Sequence, residues 1–577
     1  MPRGGQQGEP TDWVSRAADD AIRHAGGEDA LAAGATVTVA SGISPSGPIH
    51  LGNLREFLTV HFVAEELRRR GIRTRHLHSW DDFDRFRKVP VGVDEAWNVH
   101  IGRPLSAVPD PWECHDSWAS HFKAPLQEAL AQMGCEMDEV SQTEMYRAGT
   151  YREQILTAVR RRDDIERVLG RYRTKVASPD PASEEETAEL ADSVAGADDD
   201  ADLGAGAGLE RFPFKPYCRE CGRDTTHISA WDDDTTDLTY TCQACGFSGV
   251  TNLATQDEGK LVWKVDWPMR WAFEGVNFEP GGVDHATPGS SYTVGKELVK
   301  EIYGGRAPSF VGYSFVGVAG MAKMSSSKGG VPTATDALKV LEPAILRWLY
   351  VRRQPKQAFN VEFGPEVVRL YDEWDALGRK AADPAKRDAQ VLAYERATST
   401  STAGRLPAPP VVVPFRVLSS VADVTAGSAE QISRIVSHVG HAHDSVADLE
   451  PRLGRAMTWT EEFVPAEDRT IVRAIPDTER LAALSEREAQ WLRLLLDGLA
   501  EQGPELDLEP VTALVYGVPK LAHGLAVDAD PTDEVKADQK AFFKLLYNLL
   551  VSKDRGPRLP TLIVALGAER VRALLTR

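Results

Sequence analysis

Residues 36–71, TVTVASGISPSGPIHLGNLREFLTVHFVAEELRRRG, change their hydrophobic period half-way along, and the unusual residues sit at the change. Thr36, Val37, Thr38 and Val39 alternate with the period of a strand, whereas Leu54, Phe57, Leu58, Phe62 and Leu67 share one helical face that closes at Gly71. The loop between them, Ser41 to Asn53, holds Gly42, Gly47 and Gly52 with Pro45 and Pro48. Its backbone can therefore come close to a ligand just where a helix start offers unpaired N–H groups, and such a loop suits an anion. The spacing is neither G-x-G-x-x-G nor G-x-x-x-x-G-K, so it indicates neither a dinucleotide fingerprint nor a P-loop ATPase. Thr74 to Trp80 reads as a second strand, parallel to the first, and ligands bind beyond the carboxyl ends of such strands. The fold expected is α/β, with a Rossmann-type parallel-sheet domain at its centre.

A chain of 577 residues exceeds one hydrophobic core and predicts three to five domains or modules. The opening MPRGGQQGEPTDW has no apolar leader segment, and no run approaches the ~18 apolar residues of a membrane helix. A cytoplasmic protein is expected, with neither membrane nor DNA as a partner. Four of the six cysteines stand as two C-x-x-C pairs, too few for a disulfide scaffold and, in reducing surroundings, a metal signal. The net charge of −20 argues at first against nucleic acid. Position reverses that argument: residues 176–209 hold ten acids and no base, half of the excess, so a polyanion would meet local basic patches instead of the mean charge.

Residues 1–35 read as a poorly ordered extension followed by a helix from about Asp12 to Ala25. Beyond the second strand, Asp81, Asp82 and Asp84 either hold an amine or orient RNA, or merely pair with Arg85, Arg87 and Lys88. Asp110, Cys114, His115 and His121 follow at D-x3-C-H-x5-H; these are zinc ligand types, though a buried Cys beside two ordinary histidines gives the same string. The helical run from Tyr151 to Lys175 carries Arg160, Arg161, Arg162, Arg167, Arg171 and Arg173, either a solvated face or a set of phosphate contacts. Residues 176–209 cannot bury enough apolar surface to offset the entropy of ordering and are expected to be a disordered insertion. Cys218-x2-Cys221 and Cys242-x2-Cys245 lie twenty residues apart, each second Cys followed by a glycine, Gly222 or Gly246, as knuckle turns favour. This predicts a zinc ribbon over 212–250 whose four thiolates leave no open coordination position, hence a structural role.

Farther on, Gly281-Gly282-Val283-Asp284-His285 sets an acid beside a tight turn, as chelation of two ribose hydroxyls requires. Residues 320–330, GMAKMSSSKGG, form a Lys/Ser loop hinged by glycines that can close over a phosphate chain, about 270 residues after the first anion loop. Pro45-Ser46-Gly47-Pro48-Ile49-His50-Leu51-Gly52-Asn53 resembles the HIGH motif of class I aminoacyl-tRNA synthetases, and KMSSSK resembles their KMSKS motif. Between the two, WKVDWPMRW, GGVDHATPGSSY and YSFVG resemble, segment by segment, the class I lysyl-tRNA synthetases, as does the closing FFKLLYNLLVSKDRGPRLPTLIVALGAERV. The likeness covers most of the chain apart from the acidic insertion and the first thirty residues.

The resemblance implies ATP-dependent activation of L-lysine to lysyl-adenylate, then transfer to the 3′-terminal adenosine of tRNA(Lys). It implies Mg2+ on the leaving pyrophosphate, and Zn2+ both at Cys218, Cys221, Cys242 and Cys245 and at Asp110, Cys114, His115 and His121. Catalytic roles fall to His50, Asn53, Lys323, Ser325, Ser326 and Ser327, and ATP contacts to Pro45, Gly47, His50, Gly52, Asn53, Gly282, Asp284, Lys323 and Ser326. A lysine pocket would consist of Gly42, Ser44, Trp263, His285 and Tyr313. Two departures stand out: Asn53 replaces the last His of HIGH, where either side chain can donate, and Ser326 replaces the second Lys of KMSKS, leaving Lys328 as its substitute. The implied order is a catalytic domain over 36–330, a helical connecting region over 331–397 and an all-α anticodon-binding domain over 415–577. The last has a basic end with Lys553, Arg555, Arg558, Arg570 and Arg572. The rival readings are a glutamyl or cysteinyl class I enzyme and a synthetase-like RNA-binding protein without catalysis. A cysteinyl enzyme would keep an open zinc position, and intact His50, Lys323 and Asp284 argue against lost catalysis.

Overall fold

The computed structural model describes residues 12–173, 208–318 and 331–577, apart from the single positions 257, 288, 426, 427 and 466. The acidic segment, but for its last two residues, and the whole Lys/Ser loop lie outside the described residues. The chain divides into two compact units. One comprises Met1–Leu338, Pro343–Glu362 and Lys380–Leu406; the other comprises Lys339–Glu342, Phe363–Arg379 and Pro407–Arg577. The stretch 331–397, read from sequence as a connecting region, is thus shared between them.

The first unit begins with helix Trp13–His24, whose start is capped by the Asp12 carboxylate accepting the Ser15 N–H at 2.9 Å. Strands β1 (Val37–Ile43), β2 (Thr74–Trp80) and β3 (Asp138–Ser141) follow. The chain then leaves the sheet for the ribbon strands β4 (Phe214–Pro216), β5 (Thr226–Trp231), β6 (Asp237–Cys242), β7 (Ser248–Asn252) and β8 (Gly259–Leu261), and returns as β9 (Val276–Phe278). The main sheet has the order β3-β2-β1-β9 with every pair parallel. β1 runs on to Ile43, into the stretch that alternation marks as loop. Successive residues Val37 to Ser41 are all buried, and a parallel strand covered on both faces needs no polar alternation. Helix Leu54–Arg69 buries the five apolar residues expected of it, and the chain turns out at Gly71 with φ +75°.

That helix also buries His61 against β2, beside His76 and His78. His61 Nε2 accepts from Arg347 at 2.6 Å, His76 Nδ1 meets the Glu136 carbonyl at 3.1 Å, and His78 Nδ1 lies 2.9 Å from Ser41 Oγ. The second ring nitrogen of each has no partner. Burial drives all three imidazoles far below their usual range, His76 to about 3, so they are neutral.

The basic helical run divides into Arg152–Arg160 and Arg162–Arg173. Four of its arginines pair within the unit: Arg161 and Arg167 with Asp164, Arg162 with Asp233, Arg171 with Glu297; Arg160 is exposed.

The second unit is helical among its described residues from Phe415 onward, with Leu495, Val515, Phe542, Leu549 and Ile563 in its core. Arg452 is buried in it between Glu342 at 2.7 Å and Asp375 at 2.9 Å. No helix among the described residues is long and apolar enough to cross a membrane.

Candidate active site

At the carboxyl ends of β1, β2 and β9 lies a cleft of about 220 Å³. The loop after β1 supplies Gly42, Ser44, His50, Gly52 and Asn53 to its lining. His50 Nδ1 accepts the Gly52 N–H at 3.0 Å, which puts the ring proton on Nε2, and Nε2 is buried without a partner. Burial pushes this imidazole down to about 4, so it is a neutral donor at physiological pH. A Cβ on Gly52 would come within 2.7 Å of the His50 ring, so the glycine is what lets the ring fold back on the loop. The Asn53 amide oxygen accepts the His50 N–H at 3.2 Å and ties the loop to the helix start.

From the opposite side, Gly281 and Gly282 pair in parallel with Gly312 and Tyr313, which brings Tyr313 and His285 to the same cleft. Tyr313 donates its hydroxyl to Glu56 at 2.7 Å, and the other Glu56 oxygen accepts the Gly42 N–H at 2.8 Å. Burial outweighs both donors and raises Glu56 to about 8. Glu279, just past β9, accepts the indole N–H groups of Trp267 at 3.0 Å and Trp271 at 2.6 Å; burial raises it to about 7. Trp263 stacks on Trp267 with centroids 5.3 Å apart and keeps its own indole N–H buried and unpartnered. Asp81 meets Arg270 at 2.6 Å and Asp84 meets Lys260 at 2.5 Å, while Arg85, Arg87 and Lys215 complete one wall. The cleft therefore offers a neutral imidazole donor, an indole surface, cations and buried carboxyls around one space.

Two clusters elsewhere in this unit have metal-ligand chemistry. The Sγ atoms of Cys218, Cys221, Cys242 and Cys245 lie within 4.8 Å of one another without a disulfide, at the knuckles of an antiparallel ribbon β5-β6-β7. Gly222 and Gly246 take φ of +72° and +74°, the left-handed turn that each knuckle needs. Four thiols converging without bonding to each other fit a tetrahedral ion such as zinc. Asp110, Cys114, His115 and His121 also converge within 4.8 Å, with Cys114 Sγ 3.1 Å from His115 Nδ1 and 3.3 Å from His121 Nδ1. The Asp110 carboxylate is fixed by the N–H groups of Trp112, Cys114 and His115, and this set too fits zinc.

A family model described as tRNA synthetases class I (K) matches residues 11–403. The chain is 53% identical, across the whole of both chains, to a lysine–tRNA ligase of Streptomyces coelicolor. The chain belongs to the class I (K) tRNA synthetases. Other relatives are lysine–tRNA ligases of Thermococcus kodakarensis (33% identity, 97% of this chain and 98% of that one) and Treponema pallidum (30%, 93% and 94%).

In this synthetase Gly42, Ser44, His50, Gly52, Asn53, Trp263, His285 and Tyr313 line one cleft. Pro45, Gly47, Gly282 and Asp284 do not line it, although Asp284 adjoins His285 and has a buried, unpartnered Oδ1. Lys323, Ser325, Ser326 and Ser327 lie outside the described residues. Sequence reasoning missed Glu56, Glu279, Lys260 and Arg270. Glu279 alone carried a signal, an acid at the carboxyl end of a strand and directly before Pro280-Gly281-Gly282.

Proposed function

We infer that the protein is a lysine–tRNA ligase: it joins L-lysine to ATP as lysyl-adenylate and passes the lysyl group to the 3′-terminal adenosine of tRNA(Lys). The similarity over the entire chain to proteins bearing that name carries the reading. The chemistry of the cleft agrees with it. Lysine's carboxylate is already ionised at neutral pH, so its oxygen attacks the α-phosphorus and the bond to pyrophosphate breaks without a general base. The groups needed are donors toward oxygens that gain charge, and the His50 Nε2–H, neutral and unpartnered, is such a donor. Lys323 and the hydroxyls of Ser325, Ser326 and Ser327 are assigned to the opposite side of the triphosphate, and Asp284 to the ribose. Magnesium supplies charge neutralisation on the pyrophosphate.

Zinc is assigned to both ligand clusters as a structural ion, and the second, helical unit to recognition of the tRNA anticodon arm. In that unit Arg570 donates to the carbonyls of Arg473 and Ala474, so its charge is not cancelled by a carboxylate there, as a contact with a polyanion requires. Aminoacylation of total tRNA with each of the twenty amino acids in turn tests the reading: lysine alone should be esterified efficiently, by a preparation carrying close to two equivalents of zinc. Esterification of glutamate or cysteine in place of lysine would defeat the assignment, and less than half an equivalent of metal would defeat both zinc sites.

A further inference from the structure

The loop that brings His50 to the cleft is held by few main-chain contacts. From Ser44 to Ile49 the main chain has one hydrogen bond to the rest of the described residues: the Ser46 carbonyl accepts the indole N–H of Trp118 at 3.1 Å. Fixing resumes at His50, whose N–H goes to Asn53, while Leu51 N–H goes to the Pro332 carbonyl at 3.1 Å and Gly52 N–H to the His50 ring. Trp118 therefore ties down the middle of a loop whose main chain is otherwise fixed only toward its ends. Its ring is fully buried against Phe86 and Phe122, with centroids 4.8 Å and 5.1 Å away, and a buried N–H left without a partner is costly. Trp118 also opens helix Trp118–Gln132, where the Ser117 hydroxyl caps the start by accepting the Ser120 N–H at 3.2 Å. The same turn carries His121, whose Nδ1 lies 3.3 Å from both Cys114 Sγ and Asp110 Oδ2. Trp112, from the segment between Asp110 and Cys114, stacks on the His121 ring at 4.2 Å and stands 5.8 Å from the Trp118 ring. One helical turn is thus gripped by the Asp110 cluster and itself grips the His50 loop.

We propose that Trp118 is a positioning residue for the His50 loop, acting through the Ser46 carbonyl, and that the Asp110 cluster anchors the helical turn that carries it. A donor serves a transition state only while it stays aimed, and a loop with so few main-chain contacts takes its aim from whatever holds it. The cluster lines no part of the cleft, yet through this turn it sets how firmly His50 is presented there.

Hydrogen exchange read by mass spectrometry on the peptide spanning 44–53 tests the link without need of any activity. Trp118→Phe keeps a ring in the space and removes the N–H. In it the amides of His50, Leu51 and Gly52 should exchange about tenfold faster, while peptides of β1 and β2 stay as in the parent. Phe122→Leu loosens the same packing without touching the loop and should leave the 44–53 peptide within about twofold of the parent. Equal acceleration in the two variants, or acceleration shared by β1 and β2, would mark a packing role and overturn the proposal, as would unchanged exchange in Trp118→Phe. Cys114→Ser alters the cluster and leaves the indole in place; it should speed the same amides by about threefold or more, and no change would overturn the part given to the cluster. A kinetic arm rests on the ligase reading above. In ATP–pyrophosphate exchange Trp118→Phe should lower kcat about tenfold with KM for lysine within about threefold, because the loss falls mainly on the transition state. A raised KM at unchanged kcat would overturn the proposal. Absence of lysine-dependent pyrophosphate exchange by the unmodified protein would defeat the ligase reading, and the hydrogen-exchange result would still decide the link between Trp118 and the loop.

Discussion

Two ionisable side chains of helix Leu54–Arg69, Glu56 and His61, lose their charge in the fold, and their surroundings differ in one respect that decides what each does. Glu56 faces an open cleft with a backbone N–H and a phenol aimed at it. His61, on the same helix, faces closed packing against His76, and its Nδ1 is matched by nothing. Burial removes the charge from both, raising the acid and lowering the imidazole. In the cleft the lost charge can be recovered when a cationic ligand arrives. Between helix and strand no such partner can enter, and the same desolvation becomes only a liability toward acid.

The two halves give pH dependences of opposite sign, which substitution separates. Glu56 is protonated in the folded chain up to about pH 8, whereas in the unfolded chain it ionises near 4.3, so the folded state loses stability as pH rises through that window. Glu56→Gln should therefore gain on the parent by about 1.4 kcal/mol per pH unit, or about 4 kcal/mol between pH 5 and pH 8, in urea titrations at pH 5, 6.5 and 8. A difference independent of pH would break the comparison on the cleft side.

A third imidazole sharpens it. His50 is as neutral as the core histidines, yet it lines the cleft and its Nε2 has no partner. His50→Ala should slow adenylate formation by ~10²-fold while leaving the melting temperature nearly unchanged, the reverse of what a core histidine does. Pre-steady-state activation rates together with calorimetry decide the point; a lowered melting temperature with normal rates would place His50 with the core group.

The smallest effect belongs to His78. Its imidazole is held neutral in the fold and is protonated below about 6.5 in the unfolded chain, so stability present above that pH is lost as pH falls. His78→Phe should gain on the parent as pH falls from 6.5 to 5, less whatever the Ser41 contact contributes, as urea titrations at the two pH values would show. A slope of the opposite sign would show that the buried ring is charged.

The strand, the anion loop and the helix after it were legible because their signals are local: a change of period, glycines between, and an apolar face. The four-cysteine ribbon was legible for the same reason, since its spacing is a property of the string. The acids were not. Local reading offered Arg85, Arg87 and Lys88 as partners for Asp81, Asp82 and Asp84, but the fold gives Asp81 to Arg270, Asp82 to Lys123 and Asp84 to Lys260. Glu56 reads as an ordinary acid in a first helical turn, and what raises it is burial by the fold, against the hydrogen bond from Tyr313, a partner 257 positions away. Likewise the arginines around 161–171 look free to bind phosphate in the string and are engaged by Asp164, Asp233 and Glu297 in the fold. Charge is therefore less legible than hydrophobic period, because its partner is chosen by the tertiary structure.

The strand order has a consequence for the growing chain. β1 pairs with β2 soon after both are made, but its other neighbour, β9, starts only at Val276, with the whole ribbon in between. At about 5–20 residues per second, a ribosome leaves the inner edge of β1 without its strand for roughly 10 to 50 s. All four ribbon cysteines have left the peptidyl-transferase centre by then, so they can converge while the sheet is still open. Both converging clusters, that of Asp110 to His121 and that of the four ribbon cysteines, are thus synthesised before β9 completes the sheet.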